Sequence, residues 1–115
     1  MGSIIGPGVI IAPGAIVRDS ILMTDTIVEA GAIVDHCILD KETVVGAAAR
    51  VGDGDDNTPN QAAPERLNTG LTVAGRRAHI PAGAVIGRNV VIGARTGESA
   101  FGADKTVASG QMVGK

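Results

Sequence analysis

Residues 5–16 read Ile5-Gly6-Pro7-Gly8-Val9-Ile10 and then Ile11-Ala12-Pro13-Gly14-Ala15-Ile16, one hexapeptide written twice. In each copy an aliphatic residue leads, a Pro-Gly pair follows, and a small apolar residue stands four positions after the leader. Tracking the leader along the chain gives Ile5, Ile11, Val17, Leu22, Val28, Val34, Leu39, Val45 and Val51, at spacings of 6, 6, 5, 6, 6, 5, 6 and 6. Three units therefore span 17 residues. Stacked at that period, Ile5, Leu22 and Leu39 share one column, Ile11, Val28 and Val45 a second, and Val17, Val34 and Val51 a third. An amphipathic helix repeats every ~3.6 residues and a long strand every ~2, and neither produces this rhythm. A coil of three short parallel strands and three corners does, with each wholly aliphatic column lining one side of a triangular prism.

The position four past each leader gives further groups: Val9, Thr26 and Thr43; Ala15, Ala32 and Ala49; Ile21 and Ile38. These are the expected second set of inward residues. Pro7-Gly8 and Pro13-Gly14 suit tight corners, because proline fixes φ and glycine accepts a positive one. Coils stacked at the strand spacing rise by about 4.8 Å each, so about five of them make a column on the order of 24 Å tall. From Gly54 to Thr72 the rhythm stops in an acidic and then polar stretch containing Pro59 and Pro64. Such a stretch is either a functional loop or an excursion from a corner. The repeat resumes at Ala74, Ile80, Ile86 and Ile92, with Ala78, Ala84 and Val90 as the small inward positions. Beyond Ala94 it degrades, and Val107 to Met112 reads as a last unit or as a cap over the end strands that a solenoid needs to cover. The expected organisation is one all-β domain over residues 4–115 with a loop insertion at 54–72. Met1-Gly2-Ser3 reads as a tag or a trimmed start.

Composition agrees with a thin interior. The chain has 115 residues, 44% of them hydrophobic, yet it contains one phenylalanine, Phe101, and no tryptophan or tyrosine. Rings that fill wide cores or stack on nucleic-acid bases are missing. A net charge of -2 argues in the same direction, against a phosphate backbone as partner. The single cysteine, Cys37, can form neither an intrachain disulfide nor a zinc-thiolate cluster, which fits a reducing compartment. The apolar opening from Ile4 to Val17 is broken by Pro7 and Pro13 and is too short to cross a bilayer as a helix. A cytoplasmic protein without a membrane partner is expected.

Charge is divided between the halves. Residues 1–56 carry three Lys or Arg against nine Asp or Glu, a balance of -6, whereas residues 57–115 carry seven against three, a balance of +4. Arg76, Arg77, Arg88 and Arg95 fall near corners of the later coils, and Arg77 and Arg95 are 18 residues apart, one coil in that region. Such a comb is either a phosphate site or a solvated edge balanced by acids. His36 and His79 are the two histidines, each a conceivable base for acyl transfer, although both fall at positions expected to be exposed. Two cannot supply the three ligands of a hexapeptide-type zinc carbonic anhydrase. Cys37 adjoins His36, but neighbours across a corner point in different directions. Neither a Walker A lysine nor a GxGxxG pattern occurs. The residues show no catalytic constellation, and no metal or cofactor is expected.

Certain steps are more particular than generic hexapeptides: Asp19-Ser20 followed by Leu22-Met23, Leu39-Asp40-Lys41, the place of the loop, and Ile80-Pro81 with Ile86-Gly87-Arg88-Asn89. Together they resemble the C-terminal domain of ADP-glucose pyrophosphorylase, also called glucose-1-phosphate adenylyltransferase. The resemblance implies a left-handed parallel β-helix, an exception to the right-handed crossover rule. It also implies an N-terminal nucleotidyltransferase domain that joins ATP and glucose 1-phosphate into ADP-glucose and pyrophosphate for glycogen or starch synthesis. That domain's glycine-rich GGxGxRL loop has no counterpart here. In that family the β-helix packs on the catalytic domain, helps to build the homotetramer, and lends basic residues to a cleft for phosphorylated sugars such as fructose 1,6-bisphosphate. Lys41 and Arg76 match effector-contacting positions, and Arg77 stands where that family commonly has glycine, so that a paired arginine would change which charge meets the ligand. On this resemblance the chain is a regulatory and oligomerisation domain without catalysis of its own. The alternative is a small trimeric hexapeptide acyltransferase with His36 or His79 as base.

Overall fold

A computed structural model describes residues 3–52, 58–61, 70–101 and 105–114. Among the described residues fifteen short strands follow one another: β1 (Ile4–Ile5), β2 (Ile10–Ile11), β3 (Ile16–Arg18), β4 (Ile21–Leu22), β5 (Ile27–Val28), β6 (Ile33–Asp35), β7 (Cys37–Leu39), β8 (Val44–Val45), β9 (Arg50–Val51), β10 (Thr72–Ala74), β11 (His79–Ile80), β12 (Val85–Ile86), β13 (Val91–Ile92), β14 (Thr106–Val107) and β15 (Met112–Val113). They form three parallel sheets in which each strand pairs with one a coil away: β1-β4-β7-β10-β13-β15 in the first, β2-β5-β8-β11 in the second and β3-β6-β9-β12-β14 in the third. The architecture is an all-β parallel solenoid of the left-handed hexapeptide type. Among the described residues no helix is long and apolar enough to cross a membrane.

The aliphatic columns of the sequence are the strand registers. Ile5 pairs with Leu22, and Leu22 with Leu39; Ile11 pairs with Val28, and Val28 with Val45; Val17 pairs with Val34, and Val34 with Val51. Beyond the insertion Ala74, Ile80 and Ile86 join the same three columns, followed by Ile92 and Val113 in the first and Val107 in the third. From Leu22 to Ile92 these leaders are buried, as are Ala32, Ala49, Ala78, Ala84 and Val90 between them. Residues 107–113 are therefore a further repeat unit with strands of its own. In the penultimate coil a 3₁₀ turn, Glu98–Phe101, lies against β11 where another strand of the second sheet would stack, and buries Phe101.

Two inward assignments are corrected. Ile21 and Ile38 are half-exposed on the outer face, and Ser20 and Cys37 take the interior in their place. The five-residue unit turns through one left-handed residue, Asp19 (φ 47°) or His36 (φ 56°), so its inward residue arrives one position earlier. This interior column is hydrogen-bonded along its length: the Ser20 amide donates to Ser3 Oγ at 3.2 Å and the Cys37 amide to Ser20 Oγ at 3.0 Å. Ser3 thus belongs to the prism, whereas Met1 and Gly2 lie outside the described residues. Thr72, assigned to the insertion from sequence, begins β10 and pairs with Cys37. Residues 53–57 and 62–69 of the expected loop also lie outside the described residues.

At the first coil the inward leaders meet a partner coil on one side only. Ile5 and Ile11 consequently remain 45% and 41% exposed, against 0% for Leu39. On the outside of the first sheet Ile4, Ile21, Ile38, Val73, Val91 and Met112 form an unbroken apolar ladder in register.

Candidate functional site

The corner joining the first sheet to the second repeats a two-residue turn in each coil: Pro7-Gly8, Thr24-Asp25, Lys41-Glu42, Arg76-Arg77 and Ala94-Arg95. Main-chain hydrogen bonds align these turns. The amide of Asp25 donates to Pro7 O at 3.1 Å, that of Glu42 to Thr24 O at 3.0 Å, that of Arg77 to Lys41 O at 2.9 Å and that of Arg95 to Arg76 O at 2.8 Å. Lys41 and Arg76 therefore sit one above the other although 35 residues separate them in the chain. Coil stacking brings them within about 5 Å of each other along the corner. The second residue of each turn is left-handed: Gly8 at 74°, Asp25 at 61°, Glu42 at 59°, Arg77 at 61° and Arg95 at 58°. A residue with a Cβ is disfavoured there, which explains why glycine suits the position now held by Arg77.

Buried threonines next to the turns hold the corner in shape. Thr43 Oγ1 donates to Asp40 O at 2.8 Å, Thr26 Oγ1 to the same carbonyl at 3.1 Å, and Thr96 Oγ1 to Gly93 O at 2.6 Å. A rigid scaffold thus projects Lys41, Arg76, Arg77 and Arg95 into solvent over three consecutive coils. Arg77 Nε donates to Glu42 Oε1 at 2.9 Å, with the two side chains 57% and 47% exposed. Hydrogen bonding from Arg77, and then its charge and that of Arg76, hold the Glu42 carboxyl below its ordinary range. Among the described residues Lys41, Arg76 and Arg95 make no ion pair. Guanidinium and ammonium groups spaced along one edge suit phosphate oxygens.

The structure brings Lys41, Arg76 and Arg77 together on one corner, with Arg95 one coil from Arg77 as its 18-residue spacing implies. Arg88 leaves the comb, because it stands half-buried at the corner between the third and first sheets. Glu42 was not anticipated, although it lies three residues past Leu39, as Arg77 lies three past Ala74. The histidines are not assembled: His36 is half-buried at the third-to-first corner of the second coil, and His79 is exposed on β11 of the second sheet. A pocket of about 320 Å³ lies between Phe101, Val107, Met112 and Val113, with no titratable side chain among its described lining residues.

Cys37 is sealed in the interior, where its Sγ donates to Asp35 O at 3.1 Å. Burial raises its pKa from 9.0 to about 12. A thiol-specific reagent is expected to leave Cys37 unmodified near neutral pH and to label it fully in denaturant, as mass spectrometry will show. Rapid labelling of the folded chain contradicts this burial. The fold favours the neutral thiol, so the stability it contributes is intact below pH 9.0 and is lost as pH rises towards about 12.

Residues 1–74 match the family described as GlmU-like, C-terminal hexapeptide. The chain is 55% identical over 96 residues to a glucose-1-phosphate adenylyltransferase of Thermomicrobium roseum, an alignment covering 84% of the chain and 22% of that relative. It is 40% identical over 90 residues to the enzyme of the same name from Acetivibrio thermocellus, covering 78% of the chain and 21% of the relative. The corresponding protein of Desulfitobacterium hafniense is 33% identical over 90 residues, with 76% of the chain and 21% of the relative covered. The chain thus spans about a fifth of the length of these relatives. With its three-sided parallel solenoid and the match over its first 74 residues, the chain belongs to the GlmU-like C-terminal hexapeptide family.

Proposed function

We propose that the chain is the regulatory and assembly domain of a cytoplasmic glucose-1-phosphate adenylyltransferase, and that catalysis resides in a separate N-terminal nucleotidyltransferase domain. Lys41, Arg76 and Arg77 form the site for a phosphorylated sugar. The observation that carries this reading is the stacking of Lys41 against Arg76 through the Arg77 N–H to Lys41 O hydrogen bond, at a corner with cations in three successive coils. Two chain segments separated by the insertion thereby converge on one edge. The relatives named as adenylyltransferases are about five times longer than the matched region, which leaves room for the catalytic domain. The apolar ladder from Ile4 to Met112 is a suitable surface for that domain or for a second subunit.

The test is made in the full-length enzyme that carries this domain, with ADP-glucose formation followed at increasing fructose 1,6-bisphosphate. Replacing both Lys41 and Arg76 by alanine is expected to raise the half-activating concentration by about tenfold or more, since each removes a charged phosphate contact. The rate without effector should be retained. A half-activating concentration equal to that of the unmodified enzyme overturns the assignment.

A further inference from the structure

The geometry points to Glu42 as a built-in competitor at the basic corner, an internal carboxylate that occupies Arg77 and lowers the corner's affinity for a phosphate group. The inference rests on the anion-binding reading of this corner and assigns its regulation to one side chain. In the aligned turns Glu42 stands directly below Arg77, follows Lys41 in the chain, and lies within the field of the Arg76 charge. Its own lower neighbour in the column is Asp25, a second acid. Glu42 therefore lies in the lowest basic turn, beside Lys41 and beneath Arg77.

An exposed ion pair contributes little to stability, so the contact with Arg77 matters chiefly for what it denies to other anions. A guanidinium grips an oxyanion best through two parallel N–H donors. With Nε donating to Glu42 Oε1 at 2.9 Å, the Nε edge of Arg77 is taken and only its terminal nitrogens remain for a ligand. An incoming phosphate must either displace the carboxylate or bind beside a like charge. Both alternatives weaken binding, and both disappear when the carboxylate is neutralised. The contact is most consequential for ligands with two anionic groups, because these need Arg77 in addition to the Lys41 and Arg76 pair.

Inorganic pyrophosphate serves as probe for the 115-residue chain, titrated near neutral pH with the arginine Nε–H resonances followed by NMR. Glu42→Gln is expected to bind about threefold to tenfold more tightly than the unmodified chain, with the largest shift at Arg77, as removal of an exposed charge pair and a like-charge repulsion implies. Glu42→Asn is the second variant, because asparagine tolerates the left-handed turn and removes the same charge. Both should melt like the unmodified chain by circular dichroism. If all three chains bind at Arg76 and Arg77 with equal affinity, the competitor role is wrong and the anion site stands. If Lys41→Ala with Arg76→Ala leaves pyrophosphate binding unchanged, or no chain responds at this corner, the site itself is wrong and the inference falls with it.

Discussion

Leu39→Asp is expected to abolish the cooperative thermal transition of the central coils. Leu39 is fully buried in β7, stacked between Leu22 and Ala74 in the first sheet. Losing its apolar contact removes about 1.5 to 3 kcal/mol. The greater effect comes from the carboxylate. The buried cluster it belongs to is dominated by aliphatic side chains such as Val45, Val51, Ile80 and Ile86, which carry no donor to receive a charge. A buried unpaired carboxylate either protonates or drives the surrounding structure open. With a domain stability of about 5 to 15 kcal/mol, a loss above about 4 is enough to unfold several coils. The damage should centre on coils two to four, because each coil touches only its neighbours. Circular dichroism melting and amide exchange together report both the loss and its location. Leu39→Met conserves volume and is expected to lose less than about 1.5 kcal/mol, so it separates charge from shape. A melting temperature for Leu39→Asp within a few degrees of the parent contradicts the columnar core.

The columns were legible in the sequence because every wall position must be aliphatic and every coil has nearly the same length. Ile5, Leu22 and Leu39 reveal the period directly, and the structure repeats it as strand register. The phase within the short unit was less legible. Counting four residues from Val17 or Val34 lands on isoleucine, a good interior residue by type, while the single-residue corner shifts Ser20 and Cys37 inward. Residue type and turn geometry conflicted there, and the turn prevailed. At the candidate site, exposure could be counted from Leu39 and Ala74, each two residues before its cation. The adjacency of the Lys41 and Arg76 turns could not, because the insertion conceals how many residues one coil consumes between them. The pairing of Glu42 with Arg77 depends on that same hidden register. Asn60 in the polar insertion and Asn89 at a corner gave no signal of burial, since amides ordinarily face water.

Asn89→Ala is expected to release the insertion from the prism and to destabilise the later coils by about 2 to 5 kcal/mol. Asn89 is fully buried at the third-to-first corner with φ at 57°. Its Oδ1 accepts from the Gly70 amide at 2.8 Å, and its Nδ2 donates to Thr58 O at 3.1 Å. Its main-chain carbonyl in turn accepts from Asn60 Nδ2 at 2.9 Å, and Asn60 also reaches Gln111 O at 3.3 Å. Both described segments of the insertion are thus fastened to the turn between β12 and β13, and through Gln111 to the last coil. Alanine removes the amide and leaves the buried Gly70 N–H without its acceptor, which accounts for about 1 to 3 kcal/mol. It must also hold a left-handed conformation that asparagine tolerates and alanine does not, which adds about 1 to 2 kcal/mol. Asn89→Gly keeps the conformation and loses only the hydrogen bonds, so it should unfold at a denaturant midpoint between alanine and parent. Urea unfolding of the three chains measures both parts. A midpoint for Asn89→Ala equal to the parent's contradicts the anchoring role. Glycine no better than alanine assigns the whole loss to the amide. The basic corner would feel this release only indirectly, because Asn89 lies on a different edge, at the turn leading into β13, and β13 in turn leads to the Ala94-Arg95 turn. Pyrophosphate affinity at Arg76 and Arg77 should therefore change less than stability does, which separates the device that closes the fold from the charges displayed on it.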